Sequence, residues 1–345
     1  MNKKYLASIA SLALVVSLVS GCGQNKTDNK SENQNTTIKN EKTSEKTTYP
    51  IEIEAFDSTG NTYKQTFKEA PKRVVTNNQS STELLLELGL KDSLVGTGDL
   101  DNKVLDRLED DYKSIPVISQ KGDLAKEVLI GANPDMVIGR AASFTDERYG
   151  TIPSLNGMNI NTYVQIASKM DTTQSLDNII LDVRNVGKIF NIKEKANKYA
   201  DQLQDRLDKV KEKSSTIKSD PLKVMYMVKY DNGQFGVYGA NASLQTEMLK
   251  LINAENVANK GGTLSTENLI SLNPDAIVYV HADKNASTDK DAISSLLNNK
   301  LIQSVPAISN KKIIEVDYTE LMGYGFRTFD ALDKIASGLY PNIFN

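Results

Sequence analysis

A chain of 345 residues, 39% hydrophobic and 25% charged, is long enough for two domains of ordinary size and apolar enough to give each a core. Its formal net charge of −3 gives no basic patch of the kind nucleic acid would need, and after residue 21 no run reaches the roughly 18 apolar residues of a membrane span. With one histidine and one cysteine, neither an imidazole cluster for bare zinc or manganese nor an internal disulfide can be built.

The N-terminus begins with Lys3-Lys4 and an apolar core from Leu6 to Val19. Leu18-Val-Ser-Gly-Cys22 then resembles the lipobox of bacterial lipoproteins. That likeness implies a signal peptide over 1–21 and a lipid on Cys22, which would hold the protein on the extracytoplasmic face of the cell membrane without spanning it. Residues 22–48 follow as a polar tether. Ile38 is its one aliphatic residue after Cys22, too little apolar surface to offset the entropy of ordering.

Alternating apolar and polar residues over 51–56 and 62–67, joined by Asp57-Ser-Thr-Gly-Asn61, predict a β-hairpin. Short β-rich runs at 73–76, 93–97, 115–118, 136–138 and 161–164 alternate with helical stretches, the first near 80–88. That alternation predicts a parallel sheet and an α/β lobe over 49–190. From Asp171 to Lys218 there is no proline, and apolar residues recur at helical spacing on either side of a break at Phe190 to Lys193. The second half, 191–218, reads as a long helix with one apolar stripe and charge elsewhere. Beyond it, strands at 222–230, 234–238 and 312–316 and helices near 243–251, 290–297 and 328–339 predict a second α/β lobe over 219–345.

Two segments before the long helix have counterparts after it. Glu127-Val-Leu-Ile-Gly-Ala-Asn-Pro-Asp-Met-Val-Ile-Gly139 matches Glu267-Asn-Leu-Ile-Ser-Leu-Asn-Pro-Asp-Ala-Ile-Val-Tyr279, each a short helix stopped by an Asn-Pro-Asp turn that feeds a buried strand. Ser81-Thr-Glu-Leu-Leu-Leu-Glu-Leu-Gly89 pairs with Gln245-Thr-Glu-Met-Leu-Lys-Leu-Ile-Asn253. Two similar lobes joined by one helical strut account for both echoes.

Pro71-Lys-Arg-Val-Val75, Glu83 to Gly96, both Asn-Pro-Asp units, Ala196 in the strut and Gly325-Phe-Arg-Thr-Phe-Asp-Ala-Leu332 together resemble solute-binding lipoproteins of ABC importers that handle ferric siderophores, haem and cobalamin. The resemblance covers residues 49 to 343. It departs from the family pattern at Phe326, where proline is common. It implies two Rossmann-like lobes bridged by a single long α-helix, with a ligand cleft between them. It also implies a dimeric ABC permease with its ATPase as partners and a metal chelate as cargo, with no resident cofactor. One glutamate on each lobe would dock on permease arginines, and Glu83 and Glu247 hold the matching places, both expected in the first turn of a helix.

Ligands of open α/β sheets gather at the carboxyl ends of strands. In the first lobe those ends offer Asn77, Asn78, Gln79, Thr97, Asp99, Ser119, Gln120 and Arg140. In the second they offer Tyr230, Tyr238, His281 and Tyr318, with Tyr324 and Arg327 on the loop before the last helix. Arg140 and Arg327 are expected to pair with an anionic chelate, Tyr230 and Tyr238 to stack or hydrogen-bond, and His281 to be available as a haem ligand. No Gly-x-Ser-x-Gly elbow and no phosphate loop ending in Gly-Lys-Ser/Thr is present, which favours a receptor over an extracytoplasmic enzyme or adhesin; the expected cargo is a ferric chelate, with haem or cobalamin as the alternative.

Overall fold

The computed structural model describes residues 46–98, 100–119, 125–169 and 174–345; Cys22 and the segments read as signal peptide and tether lie outside them, apart from the last residues before Tyr49. The hairpin β1 (Ile51–Phe56) and β2 (Thr62–Phe67) is antiparallel, its turn closed by Asp57, which accepts the Thr59 and Asn61 backbone N–H groups at 2.9 and 3.1 Å.

The first lobe is a five-stranded parallel sheet of β3 (Val74–Thr76), β4 (Leu94–Gly98), β5 (Val117–Ser119), β6 (Met136–Gly139) and β7 (Asn161–Val164), in the order β5-β4-β3-β6-β7. The second lobe has β8 (Leu222–Asp231), β9 (Gln234–Tyr238), β10 (Ala254–Asn256), β11 (Gly262–Ser265), β12 (Ala276–His281) and β13 (Ile313–Asp317). Its order is β11-β9-β8-β12-β13, with β10 paired to the start of β8; β9 runs antiparallel to β8 and β11, and the other pairs are parallel.

The Asn-Pro-Asp echo has a common physical role. Asn133 and Asn273 take the left-handed conformation (φ 48° and 46°) that stops each preceding helix. Asp135 then accepts the backbone N–H groups of Lys72 and Arg73 at 2.8 and 3.1 Å, and Asp275 that of Lys223 at 2.8 Å. In each lobe the turn therefore sets the register of a central strand against its neighbour.

Between the sheets the chain forms the helices Leu176–Ile189 and Lys193–Ser214, broken where Asn191 is left-handed (φ 58°). At 1.5 Å per residue the second spans about 33 Å and bridges the lobes. It buries Ala196, Ala200, Leu203, Leu207 and Val210 on one face. Gly187 permits the two helices to touch, because a Cβ there would overlap the side chain of Ala196. Thr47 and Tyr49 brace this junction: the Thr47 hydroxyl donates to the Lys188 carbonyl at 2.9 Å and the Tyr49 phenol to that of Ile189 at 2.5 Å.

One apolar core runs unbroken from Val74, Leu85 and Met136, through Ala196, Leu203 and Leu207, to Val224, Tyr226, Val278 and Phe329. Two smaller clusters fill the outer faces of the sheets. Phe326 is buried against the bridging helix, edge-on to Tyr199 at 5.7 Å.

Candidate functional site

The carboxyl ends of β3, β5 and β6 bring Asn77, Ser119 and Arg140 to one edge of the first lobe. Gly139 shapes this edge. A Cβ there would fall on the Asn77 amide, so only glycine lets Asn77 lie across the end of β6, where its Oδ1 accepts the Arg140 backbone N–H at 3.3 Å. The Arg140 guanidinium reaches within 3.7 Å of the Asp101 carboxylate and sits 5.7 Å from the ring centre of Tyr324, a second-lobe residue.

Tyr324 is itself left-handed (φ 57°), and its carbonyl accepts from Gln165 Nε2 at 3.3 Å across the lobes. Tyr238 and Tyr318 stand beside it. Burial, and then the neighbouring phenols of Tyr318 and Tyr324, hold the Tyr238 hydroxyl well above the ordinary tyrosine value. Lys284 lies 5.5 Å from the ring centre of Tyr318. The mouth between the lobes is thus walled by phenols on one side and by amides and a guanidinium on the other.

Four donors here are buried without any hydrogen-bond partner among the described residues: Asn77 Nδ2, Ser119 Oγ, Arg140 Nε and Gln174 Nε2. A buried donor left unpaired costs about 1–3 kcal/mol, and such groups are rare unless something else satisfies them. Acceptor oxygens are the partners such groups call for.

The floor of the cleft is stitched by polar contacts instead. Gln79 Oε1 accepts from the backbone N–H groups of Asp101 and Asn102 at 2.9 and 3.1 Å and from the Thr319 hydroxyl at 2.8 Å. Asn102 Nδ2 donates to the His281 carbonyl at 3.2 Å, and the Ser80 hydroxyl to that of Gly323 at 2.6 Å. Asn78 is spent on Ser80 and Gln165, at 2.6 and 3.0 Å, and Thr97 on the buried hydroxyls of Thr76 and Thr82.

Several residues expected at the ligand lie elsewhere. Arg327, 5% exposed, donates to Glu83 at 3.2 Å, Asp317 at 3.0 Å and the Lys103 carbonyl at 3.2 Å, so its charge is used to join the lobes. Tyr230 belongs to the outer core of the second lobe, stacked on Phe235 at 6.2 Å and accepting from Asn299 Nδ2 at 2.9 Å. Strict alternation along β8 would put it on the inner face with Tyr226. A bulge with Lys229 left-handed (φ 55°) turns it outward. His281 Nε2 lies 2.8 Å from a Glu315 carboxylate oxygen and its ring packs on Tyr279, on the face that β12 turns toward the outer core. Among the described residues no group of three His, Cys, Asp or Glu could hold a metal ion. Asp99 and Gln120 lie outside the described residues. Gln174, Asp101 and Lys284 had no signal in the sequence beyond their position near strand and helix ends.

The two echoed glutamates sit in the second helical turn of Gln79–Glu87 and Ser243–Leu251, not the first, and their surroundings differ. Glu83 is fully buried, its carboxyl pushed up by that burial and pulled back by Arg327 and Gln79. In this arrangement it presents nothing to a partner. Glu247 is half-buried and accepts the Leu176 backbone N–H at 3.2 Å, capping the helix Leu176–Ile189 from the other lobe. Burial raises its pKa to about 7, with Asp177 adding to the rise and the Leu176 N–H and Lys211 opposing it. The folded state therefore holds this proton more tightly than the unfolded chain, whose carboxyl stays near 4.5. The stability from that proton is full below about 4.5 and is lost as pH rises toward 7. Melting temperature should fall across this window, and Glu247→Gln should flatten that part of the profile; parallel profiles for the two proteins would show that Glu247 does not titrate there.

Two α/β lobes joined by a single bridging helix, with buried unpaired donors where they meet, are the architecture of a two-lobed binding protein. The chain belongs to the periplasmic binding protein family, whose profile matches residues 74–319. It is an ABC-type substrate-binding protein, a class that serves a permease and its ATPase. An ABC transporter substrate-binding lipoprotein of Bacillus subtilis (strain 168), YvrC, is 25% identical over 349 residues, covering 99% of each chain. A periplasmic binding protein from Veillonella parvula DSM 2008 has a TM-score of 0.75 at 23% identity, covering 86% of this chain and 93% of its own. A protein of an ABC-type Fe3+-hydroxamate transport system from Saccharomonospora viridis DSM 43017 has a TM-score of 0.67 at 19% identity, covering 85% of this chain and 99% of its own.

Proposed function

We propose that the protein captures an anionic, oxygen-rich ferric chelate of the siderophore type between its lobes and delivers it to an ABC permease, held at the membrane by a lipid on Cys22. The unpaired buried donors of Asn77, Ser119, Arg140 and Gln174 carry this reading: they match a ligand made of acceptor oxygens. The fold is shared with the Fe3+-hydroxamate transport protein of Saccharomonospora viridis and with haem-binding proteins such as RhuT of Roseiflexus sp. RS-1, so the likeness supports both the chelate and its haem alternative. Of the two echoed carboxylates only Glu247 keeps exposed surface, so a contact with a permease cation falls to it in this conformation.

The test is a thermal-shift panel of ferric hydroxamate, catecholate and citrate complexes, with haem and cobalamin beside them. A ligand at 100 times its dissociation constant stabilises the fold by about 2.7 kcal/mol. A shift with a ferric chelate and none with haem or cobalamin is expected. A shift with haem alone, with a Soret change, would replace the chelate as cargo. No shift with any of them would return the enzyme or adhesin reading to first place.

A further inference from the structure

The segment that enters the helix Leu176–Ile189 is fastened to the second-lobe helix Ser243–Leu251 at two points. Glu247 holds the Leu176 backbone N–H, and the Ser243 hydroxyl makes a double contact with Gln174. It accepts the Gln174 backbone N–H at 3.3 Å and donates its own proton to Gln174 Oε1 at 2.7 Å. The Ser243 proton needs an acceptor, which fixes the amide with its oxygen toward Ser243 and its nitrogen away. Gln174 is 4% exposed, and its Nε2 makes no close hydrogen bond among the described residues; it faces the phenol of Tyr324, where a weak donor contact opposes the rise that burial gives that phenol's pKa.

We propose that Ser243 is a positioning residue for the ligand: from the second lobe it orients the Gln174 amide so that Nε2 donates to an acceptor oxygen of the bound molecule. The inference rests on the reading of the cleft as a chelate site. Because serine and glutamine are held by different lobes, the donor is aimed correctly only while the lobes keep this arrangement, which links ligand grip to lobe position. Capping of the second-lobe helix does not account for the contact, since no Ser243 hydroxyl bond to that helix accompanies it among the described residues.

The test titrates the ferric hydroxamate, catecholate and citrate complexes into the full chain, read by quenching of tyrosine fluorescence. Ser243→Ala should weaken binding about two- to tenfold, the worth of one neutral hydrogen bond. Gln174→Ala should weaken it similarly, the double variant no further than Gln174→Ala alone, and Ser243→Thr should restore most of the loss. Losses that multiply in the double variant would mean that Ser243 acts on the fold and not through Gln174. Binding weakened by Arg140→Ala but untouched by Ser243→Ala would overturn this inference and leave the chelate site standing. Failure of the unaltered protein to bind any of the complexes would overturn both.

Discussion

Replacing Arg140 with alanine is expected to raise the dissociation constant for the ferric chelate about ten- to a hundredfold. The guanidinium is the one cation among the four groups with unpaired buried donors at the mouth, so it alone supplies a charge-assisted bond to an anionic oxygen. Losing such a bond costs about 1.5–3 kcal/mol, which converts to that range. Arg140→Lys keeps a point charge but not the planar fork, and should recover only part of the loss. Isothermal titration of the three proteins separates these cases, and equal dissociation constants would remove Arg140 from the site.

Arg327→Ala should do little to the ligand directly and much to the fold. Arg327 and Glu83 lie 244 positions apart, are 5% and 0% exposed, and join the lobes at the cleft floor. Glu320 keeps Lys334 at 2.8 Å when the arginine is removed, whereas Glu83 keeps neutral donors, the Gln79 amide at 3.0 Å and the Leu105 backbone N–H. Breaking a buried pair from one side costs about 3–5 kcal/mol because it strands a charge. The double change Glu83→Gln/Arg327→Met removes the stranded charge and should return much of that stability. Urea denaturation measures both; a loss below about 1 kcal/mol in the single variant would show that water reaches the pair.

Those two arginines also mark how far the sequence could be read. Both follow local signals equally well, one at a strand end and one before a helix, and nothing near either reveals its partner. Glu83 meets Arg327 through the folding of two lobes, a relation that spacing cannot express. The same holds for the second-lobe strands β10 and β11: Ala-Glu-Asn and Gly-Thr-Leu-Ser have no β-branched run, and they are strands because β8 and β9 present open edges to them. By contrast the hairpin at 51–67, the helix at 328–339 and both Asn-Pro-Asp units were legible, since alternation, helical spacing and turn chemistry are local. The outward turn of His281 was missed, although the alternation along β12 carries it. His281 shares parity with Ile277 and Tyr279, and the inner face belongs to Val278 and Val280.

The unbroken core through the bridging helix has a calorimetric consequence. A domain that buries its own core can melt alone, but here Leu203 and Leu207 belong to one cluster with residues of both sheets. Separating the lobes would expose that cluster to water, so neither half holds a folded state that the other does not share. A single endotherm is the outcome this architecture dictates, with calorimetric and van't Hoff enthalpies in agreement. A molecule bound at the mouth would then lift the whole transition, and protection against hydrogen exchange would rise at Val74 and Val278 alike, in strands of opposite lobes.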